Sequence, residues 1–146
     1  MVHALISIHP EYVAKIVGGN KTVEIRTRKM TLTVGATLWI YATRPIGEIR
    51  AVARIKEICY ISPTKAWGDF EDVLGITKSA FQTYVNGSRF ISAVTLSAVT
   101  QLRAPLSLMS IQKSVRGFHP PQFFKHLHKG DPVYALLSKS YPARFR

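Results

Sequence analysis

Lys21, Glu24 and Arg26 are the residues of this chain whose types and spacing could do chemistry. They lie in GGNKTVEIRTRK, residues 18–29. Two glycines and an asparagine predict a turn, and the segment after it alternates. Val23 and Ile25 point one way, while Thr22, Glu24 and Arg26 point the other, because strand side chains switch faces with period two. Glu24 and Arg26 then share a face at a separation of roughly 7 Å. As a surface pair they are worth about 0–1 kcal/mol. As a site, the carboxylate accepts from an exocyclic amino group, and the guanidinium forks onto phosphate or stacks on a base. Lys21 is out of phase with Glu24 in a regular strand, so the two meet only if Lys21 belongs to the turn or to a bulge. In that case Lys21 binds phosphate or polarises a base carbonyl; otherwise it is a solvated lysine. Glu24 is the wall of a polar pocket or the partner of a neighbouring arginine, and both readings stay open at this point.

The surrounding charge favours an anionic partner. The chain has 146 residues, 20 Lys and Arg against 8 Asp and Glu, and a formal net charge of +12. Nucleic acid is the first polyanion to consider and an anionic membrane surface the second. No segment reads as the basic amphipathic helix that a membrane surface would call for. Arg28 and Lys29 follow the strand at once. Arg44 sits where a strand ends and a loop begins, and Arg116, Lys125 and Lys129, with His119, make a basic C-terminal patch. The six lysines and arginines named are the candidate phosphate contacts. Residues 101–146 hold eight basic residues and one acid, Asp131. Salt-sensitive binding follows if several phosphates are neutralised.

His126 and His128 form a His-x-His without further ligands nearby, whereas metal sites want three or four; no metal is expected. There is no P-loop, no dinucleotide glycine fingerprint and no Gly-x-Ser-x-Gly, so no cofactor is expected either. Trp39 reads as core, and Trp67 as core or as a stacking platform. Cys59 is the lone cysteine, in apolar surroundings that predict a buried, inert strand position. The expected setting is reducing and cytoplasmic, with no apolar run approaching the ~18 residues that span a bilayer.

The elements that must position these residues can be read in outline. The length and the 47% hydrophobic fraction predict one folded domain over residues 1–146. VHALISI reads as a first strand. HPEYVAKIV reads as a helix with Pro10 in its first turn, stopped by Gly18 and Gly19. Strands follow at KTVEIRT (21–27), at 38–41 after a turn at Gly35, and over 46–61 with irregularities. Ser62 and Thr77 are expected N-caps of two short helices. Residues 89–106 read as one long strand or a bent pair. SLMSIQKSV and PPQFFKHLH are helical candidates, and DPVYALLS reads as a closing strand. Five or six strands with short flanking helices give an α+β fold or small barrel, and the short, irregularly placed helices argue against a doubly wound sheet.

The strand, the helix beginning HPEYVAKI, the Gly-x-x-Lys-Thr-x-Glu-x-Arg stretch and the basic tail together resemble the ASCH domain family. VGATLWIYATRPIGEI, SPTKAW, GITKSAFQTYVNG and PPQFF extend the likeness, in order, to the longer prokaryotic members. The resemblance implies a PUA-like β-barrel with a cleft lined by the Lys21–Glu24–Arg26 strand. It also implies RNA binding ahead of DNA binding, the cleft accepting a base or nucleotide. Some small family members hydrolyse acetylated cytidine nucleosides, and others have been described as ribonucleases. In an enzyme of that type, Lys21 would be the catalytic cation and Glu24 the base. The nucleoside hydrolases carry a threonine where this chain has Glu24, and Thr22 lies two positions away.

Overall fold

The computed structural model describes residues 1–145; Arg146 lies outside them. Six strands form one sheet in the order β2-β5-β4-β3-β1-β6. They are β1 (His3–Ile8), β2 (Val23–Arg26), β3 (Thr37–Ala42), β4 (Glu48–Ile61), β5 (Ile91–Ser107) and β6 (Phe124–Leu127). Five helices flank the sheet: α1 (Pro10–Val17), α2 (Pro63–Phe70), α3 (Lys78–Val85), α4 (Leu108–Ser114) and α5 (Pro132–Ser138). β1 runs parallel to β3, and every other pairing is antiparallel.

The sheet is α+β and curled into a half-barrel, and bulges produce the curl. β4 and β5 change register three times along their length. Opposite the shift between Val52 and Arg54, Ala98 takes a left-handed φ of 52°. The Thr100 hydroxyl caps that kink by donating to Ala98 O at 3.0 Å. Extra residues on one strand bend it and increase its twist, so the stretch read as one strand or a bent pair is one long bent strand, Ile91–Ser107. The result shows at the seam. Three strands separate β2 from β1 in the sheet order, which would put them ~19 Å apart if the sheet were flat. Instead Arg26 Nη2 on β2 donates to Ser7 O on β1 at 2.7 Å.

The apolar runs have a plain cause. Ala4 and Ile6 of β1 pack in one cluster with Leu38, Ile40, Ala51 and Val94, while Leu5 packs on the other side with Trp39, Ile111 and Val133. A strand covered on both faces loses its polar alternation. β2 differs. Val23 and Ile25 pack beneath α2 and α3 against Leu74, Phe81 and Val85, and the opposite side carries Glu24 and Arg26. Ser62 and Thr77 cap α2 and α3 as expected, accepting from Lys65 N and Ala80 N.

The C-terminal expectations are corrected. Phe124–Leu127 form a strand, not part of a helix, because the edge of β1 captures them: Ser7 N donates to Phe123 O, and the Ser7 hydroxyl donates to Pro121 O. Residues 132–138 form a helix, not a strand. Pro132 sits in its first turn, and Val133 and Leu137 bury one face at a spacing of four. Cys59 lies on β4 but is half-buried at the edge of the α2–α3 cluster. Burial, then the Glu57 carboxylate beside it, push its thiol pKa up. Trp39 is core, and Trp67 packs on Phe81.

His3 ties the C-terminal region to the sheet. It is 6% exposed, accepts from Trp39 Nε1 through Nδ1 at 3.2 Å, and contacts the rings of Tyr134 and Tyr141. Burial, then the N-terminal amine and Arg54, lower its pKa from the ordinary 6.5. The folded state therefore binds fewer protons, and His3's contribution is complete above pH 6.5 and falls as the pH drops below it. Melting temperature should fall on acidification below 6.5. His3→Asn, which keeps an acceptor for Trp39, should flatten that part of the profile; an unchanged profile would remove His3 as its source.

Candidate nucleotide-binding cleft

The turn after α1 puts Lys21 where a regular strand could not. Gly19 takes φ +87° and ends the helix, and the N–H groups of Asn20 and Lys21 both return to Lys15 O. β2 starts only at Val23, so Lys21 escapes the strand's alternation and its amine folds back beneath it. Nζ donates to Val23 O at 2.9 Å and Leu74 O at 2.6 Å, and lies 3.3 Å from Glu24 Oε1. Those three partners match the three N–H groups of an ammonium. Lys21 is 2% exposed. Burial lowers its pKa, and Glu24 opposes that shift.

Glu24 joins the two cations. Oε1 faces Lys21, and Oε2 accepts from Arg26 Nε at 3.1 Å and Nη2 at 2.7 Å. Arg26 Nη2 also holds Ser7 O, and the Phe123 ring lies 5.5 Å from the guanidinium carbon. Arg26 Nη1 has no protein partner among the described residues, which makes it the free donor of the group. One buried and one partly buried cation around a single carboxylate leave a net positive charge at the base of the site.

Above this group opens a cleft of about 350 Å³, within the size range of small-molecule sites. It is lined by Ser7, Ile8, His9 and Tyr12 from β1 and α1, by Lys21, Glu24, Ile25 and Arg26 from β2 and the turn before it, and by Ile76, Ala80 and Tyr84 at and just before α3. The Tyr12 ring lies 5.2 Å from Lys21 Nζ and 5.7 Å from Lys15 Nζ. Burial, then Glu11 and Glu24, raise the pKa of its phenol, which stays a donor at neutral pH. Tyr84 is 43% exposed. A carboxylate acceptor, a guanidinium donor and aromatic walls can bind a flat, polar-edged ring carrying an anion.

His9, Tyr12 and Tyr84 were not singled out by sequence reasoning, because strand β1, helix α1 and helix α3 come together only through the curl. Gly75 was missed as well. Its φ is +66°, its carbonyl accepts from Lys15 Nζ at 2.8 Å, and a Cβ there would stand 3.0 Å from Lys21 Cβ. The signal was a glycine just ahead of an N-capping Thr77.

The other expected site residues are dispersed. Arg28 and Lys29 are exposed beside the cleft, over the rings of Phe123 and Tyr60. Arg44 lines a separate depression with Pro45, Leu108 and Met109. Arg116 and Lys125 share another groove with His119, His126 and Asp131, and exposed Lys129 lies outside it. The His126 and His128 rings are 6.5 Å apart; among the described residues no three His, Cys, Asp or Glu side chains form a group able to hold a metal. Thr22 does not line the cleft: its N–H and carbonyl are engaged by Val73 O and Leu96 N.

Residues 6–101 match the ASCH domain, which includes the cleft strand and its walls. The chain belongs to the ASCH domain family. An ASCH domain-containing ribonuclease from Zymomonas mobilis subsp. mobilis is 30% identical over 126 residues, covering 86% of this chain and 84% of that protein. The crystal structure of ASCH from Zymomonas mobilis superposes with a TM-score of 0.86 at 29% identity, covering 95% of this chain and 96% of that one. A Pseudomonas putida protein shares the fold at 13% identity, with a TM-score of 0.62 over 94% and 97% of the two chains. This ASCH chain thus has the six-stranded half-barrel fold of its structural relatives.

Proposed function

We propose that this ASCH domain binds single-stranded RNA, taking one nucleotide into the Lys21–Glu24–Arg26 cleft. The observation that carries the proposal is the buried carboxylate held between two cations at the base of a tyrosine-walled cleft. Glu24 accepts from a base's amino edge, Arg26 Nη1 donates to a carbonyl or phosphate oxygen, and Tyr12 and Tyr84 flank the ring. Lys21 acts as a positioning residue, since its three N–H groups are already committed. Arg28 and Lys29 hold phosphates beside the cleft, and Arg44, Arg116, Lys125 and Lys129 add a more distant basic surface. A cytoplasmic setting goes with this reading, and residues 1–146 act as one domain. Among the described residues no helix is long and apolar enough to cross a membrane.

The Zymomonas relative named a ribonuclease supports a second reading, cleavage of the bound RNA. The cleft contains ionisable groups for it in His9, Tyr12, Lys21 and Glu24. A base among them would take the proton of a ribose 2′-hydroxyl, whose oxygen attacks the adjacent phosphorus. The bond from phosphorus to the 5′-oxygen then breaks, and a proton returns to that oxygen.

One titration tests both. Fluorescence anisotropy would compare labelled single-stranded RNA, duplex RNA and DNA at two salt concentrations, for wild type and for Glu24→Gln shown to be folded by its melt. The RNA would be run on a gel afterwards. Single-stranded RNA should bind best and weaken steeply with salt, with a logarithmic slope of about −0.7 for each phosphate neutralised. Glu24→Gln should weaken binding about tenfold, the loss of one charge-assisted contact. Wild-type cleavage lost in the variant establishes the ribonuclease; absence of binding to all three nucleic acids overturns both readings.

A further inference from the structure

Beside the cleft, two aromatic rings lie open to solvent under a lysine. Tyr60 is 46% and Phe90 44% exposed, and their ring centroids are 5.6 Å apart with planes inclined by 31°. Lys29 Nζ stands 5.4 Å from the centre of the Tyr60 ring. Exposed hydrophobic residues scattered singly need no explanation. These two are adjacent and paired, with a cation over one of them.

Register places them relative to the cleft. Arg26 pairs with Ser92, and Ser92 pairs with Tyr60. Directly opposed residues on neighbouring strands project from the same face, so the Tyr60 ring shares the face of Arg26, two strand spacings or ~10 Å away. The buried Ser92 hydroxyl fills the interval from below, donating to Arg28 O at 3.0 Å and accepting from Met30 N at 2.9 Å. Those bonds pin residues 28–30 across the sheet. Arg28 is thereby held over Phe123 on the cleft side, and Lys29 over Tyr60 on the far side. The rim of the half-barrel thus carries a cleft, two fixed cations and an aromatic pair in sequence.

Resting on the RNA-binding reading above, we propose that Tyr60 and Phe90 form a stacking platform for a base of single-stranded RNA next to the nucleotide held in the cleft. Arg28 and Lys29 hold the phosphate between the two bases. A positively charged track with aromatic side chains is the arrangement by which single strands are bound without sequence preference. A duplex cannot use it, because its bases are already stacked and paired. The platform therefore selects for single strands, while the cleft reads the edge of one base.

The test uses a single-stranded RNA oligonucleotide with one 2-aminopurine, followed by fluorescence and by anisotropy. Wild type, Tyr60→Ala/Phe90→Ala, Tyr60→Phe, Lys29→Ala and Glu24→Gln are compared, each checked by its melt. The double alanine variant should weaken binding roughly tenfold or more, the scale of one lost base stack. It should also abolish part of the 2-aminopurine quenching and leave the salt slope unchanged. Tyr60→Phe should retain both affinity and quenching, and Lys29→Ala should reduce the salt slope by about 0.7. If Glu24→Gln weakens binding and the double alanine variant does not, the platform is overturned and the cleft stands. If the reverse is found, the platform stands and the cleft reading falls. Absence of wild-type binding overturns both.

Discussion

Glu24→Ala is expected to cost the fold about 3–5 kcal/mol, the scale for breaking a buried ion pair by removing one partner. The magnitude follows from what is left behind. Lys21 would keep Val23 O and Leu74 O but lose the carboxylate that balances its charge at 2% exposure, and Arg26 would lose both of its bonds to Oε2. Two like charges would then share one poorly solvated site. Denaturant unfolding is the measurement, with a lower midpoint at unchanged slope expected. Replacing Lys21 and Glu24 together by Met and Leu should recover much of the loss, because hydrophobic groups of similar volume replace buried ion pairs at little cost. A single-variant loss below about 1 kcal/mol would match a solvent-exposed pair and contradict the buried arrangement.

Gly75→Ala should lower stability by about 1–3 kcal/mol and weaken RNA binding as well, although Gly75 does not line the cleft. Its φ of +66° strains any residue bearing a Cβ, and that Cβ would stand 3.0 Å from Lys21 Cβ and 3.3 Å from Lys21 Cδ. Lys21 must shift to admit it, and Glu24 follows because Lys21 positions its Oε1. Gly87→Ala supplies the control: φ there is +81°, with nothing within 4 Å of an added Cβ. It should show the backbone strain without the loss of RNA affinity. Equal effects of the two substitutions on binding would uncouple Gly75 from the site.

The arrangement of the candidate site was legible in the sequence as far as local geometry reaches. Alternation in VEIR places Glu24 and Arg26 together, and the glycines ahead of Lys21 allow its return to Glu24. The choice between pocket wall and ion-pair partner dissolves, since Glu24 is both. What could not be read depends on the curl of the sheet. Nothing local indicates that Arg26 reaches Ser7 O across the seam, or that Tyr12 and Tyr84 line one cleft. The same limit explains the C-terminal exchange of helix and strand. The aromatic residues of PPQFFKHLH suit either element, and it is the open edge of β1 that decides. In DPVYALLS the apolar run hides a spacing of four between Val133 and Leu137, and that spacing buries one helix face.

The basic residues divide in the same way. Arg28 and Lys29 stay beside the cleft because Ser92 anchors their backbone. Arg44 and the Arg116–Lys125 groove line depressions of their own. Net charge signals a polyanion without saying which cations share a site.

Entry of RNA into the cleft of Lys21, Glu24 and Arg26 can be followed residue by residue. Nitrogen-15 amide spectra would be recorded as a short single-stranded RNA is added. The predicted result is that the largest shifts fall at Ser7–Tyr12, Lys21–Arg26 and Ile76–Tyr84, and that Glu24→Gln diminishes them. Shifts confined to the basic residues of the C-terminal region, with the cleft silent and Glu24→Gln without effect, would place RNA binding elsewhere on the protein.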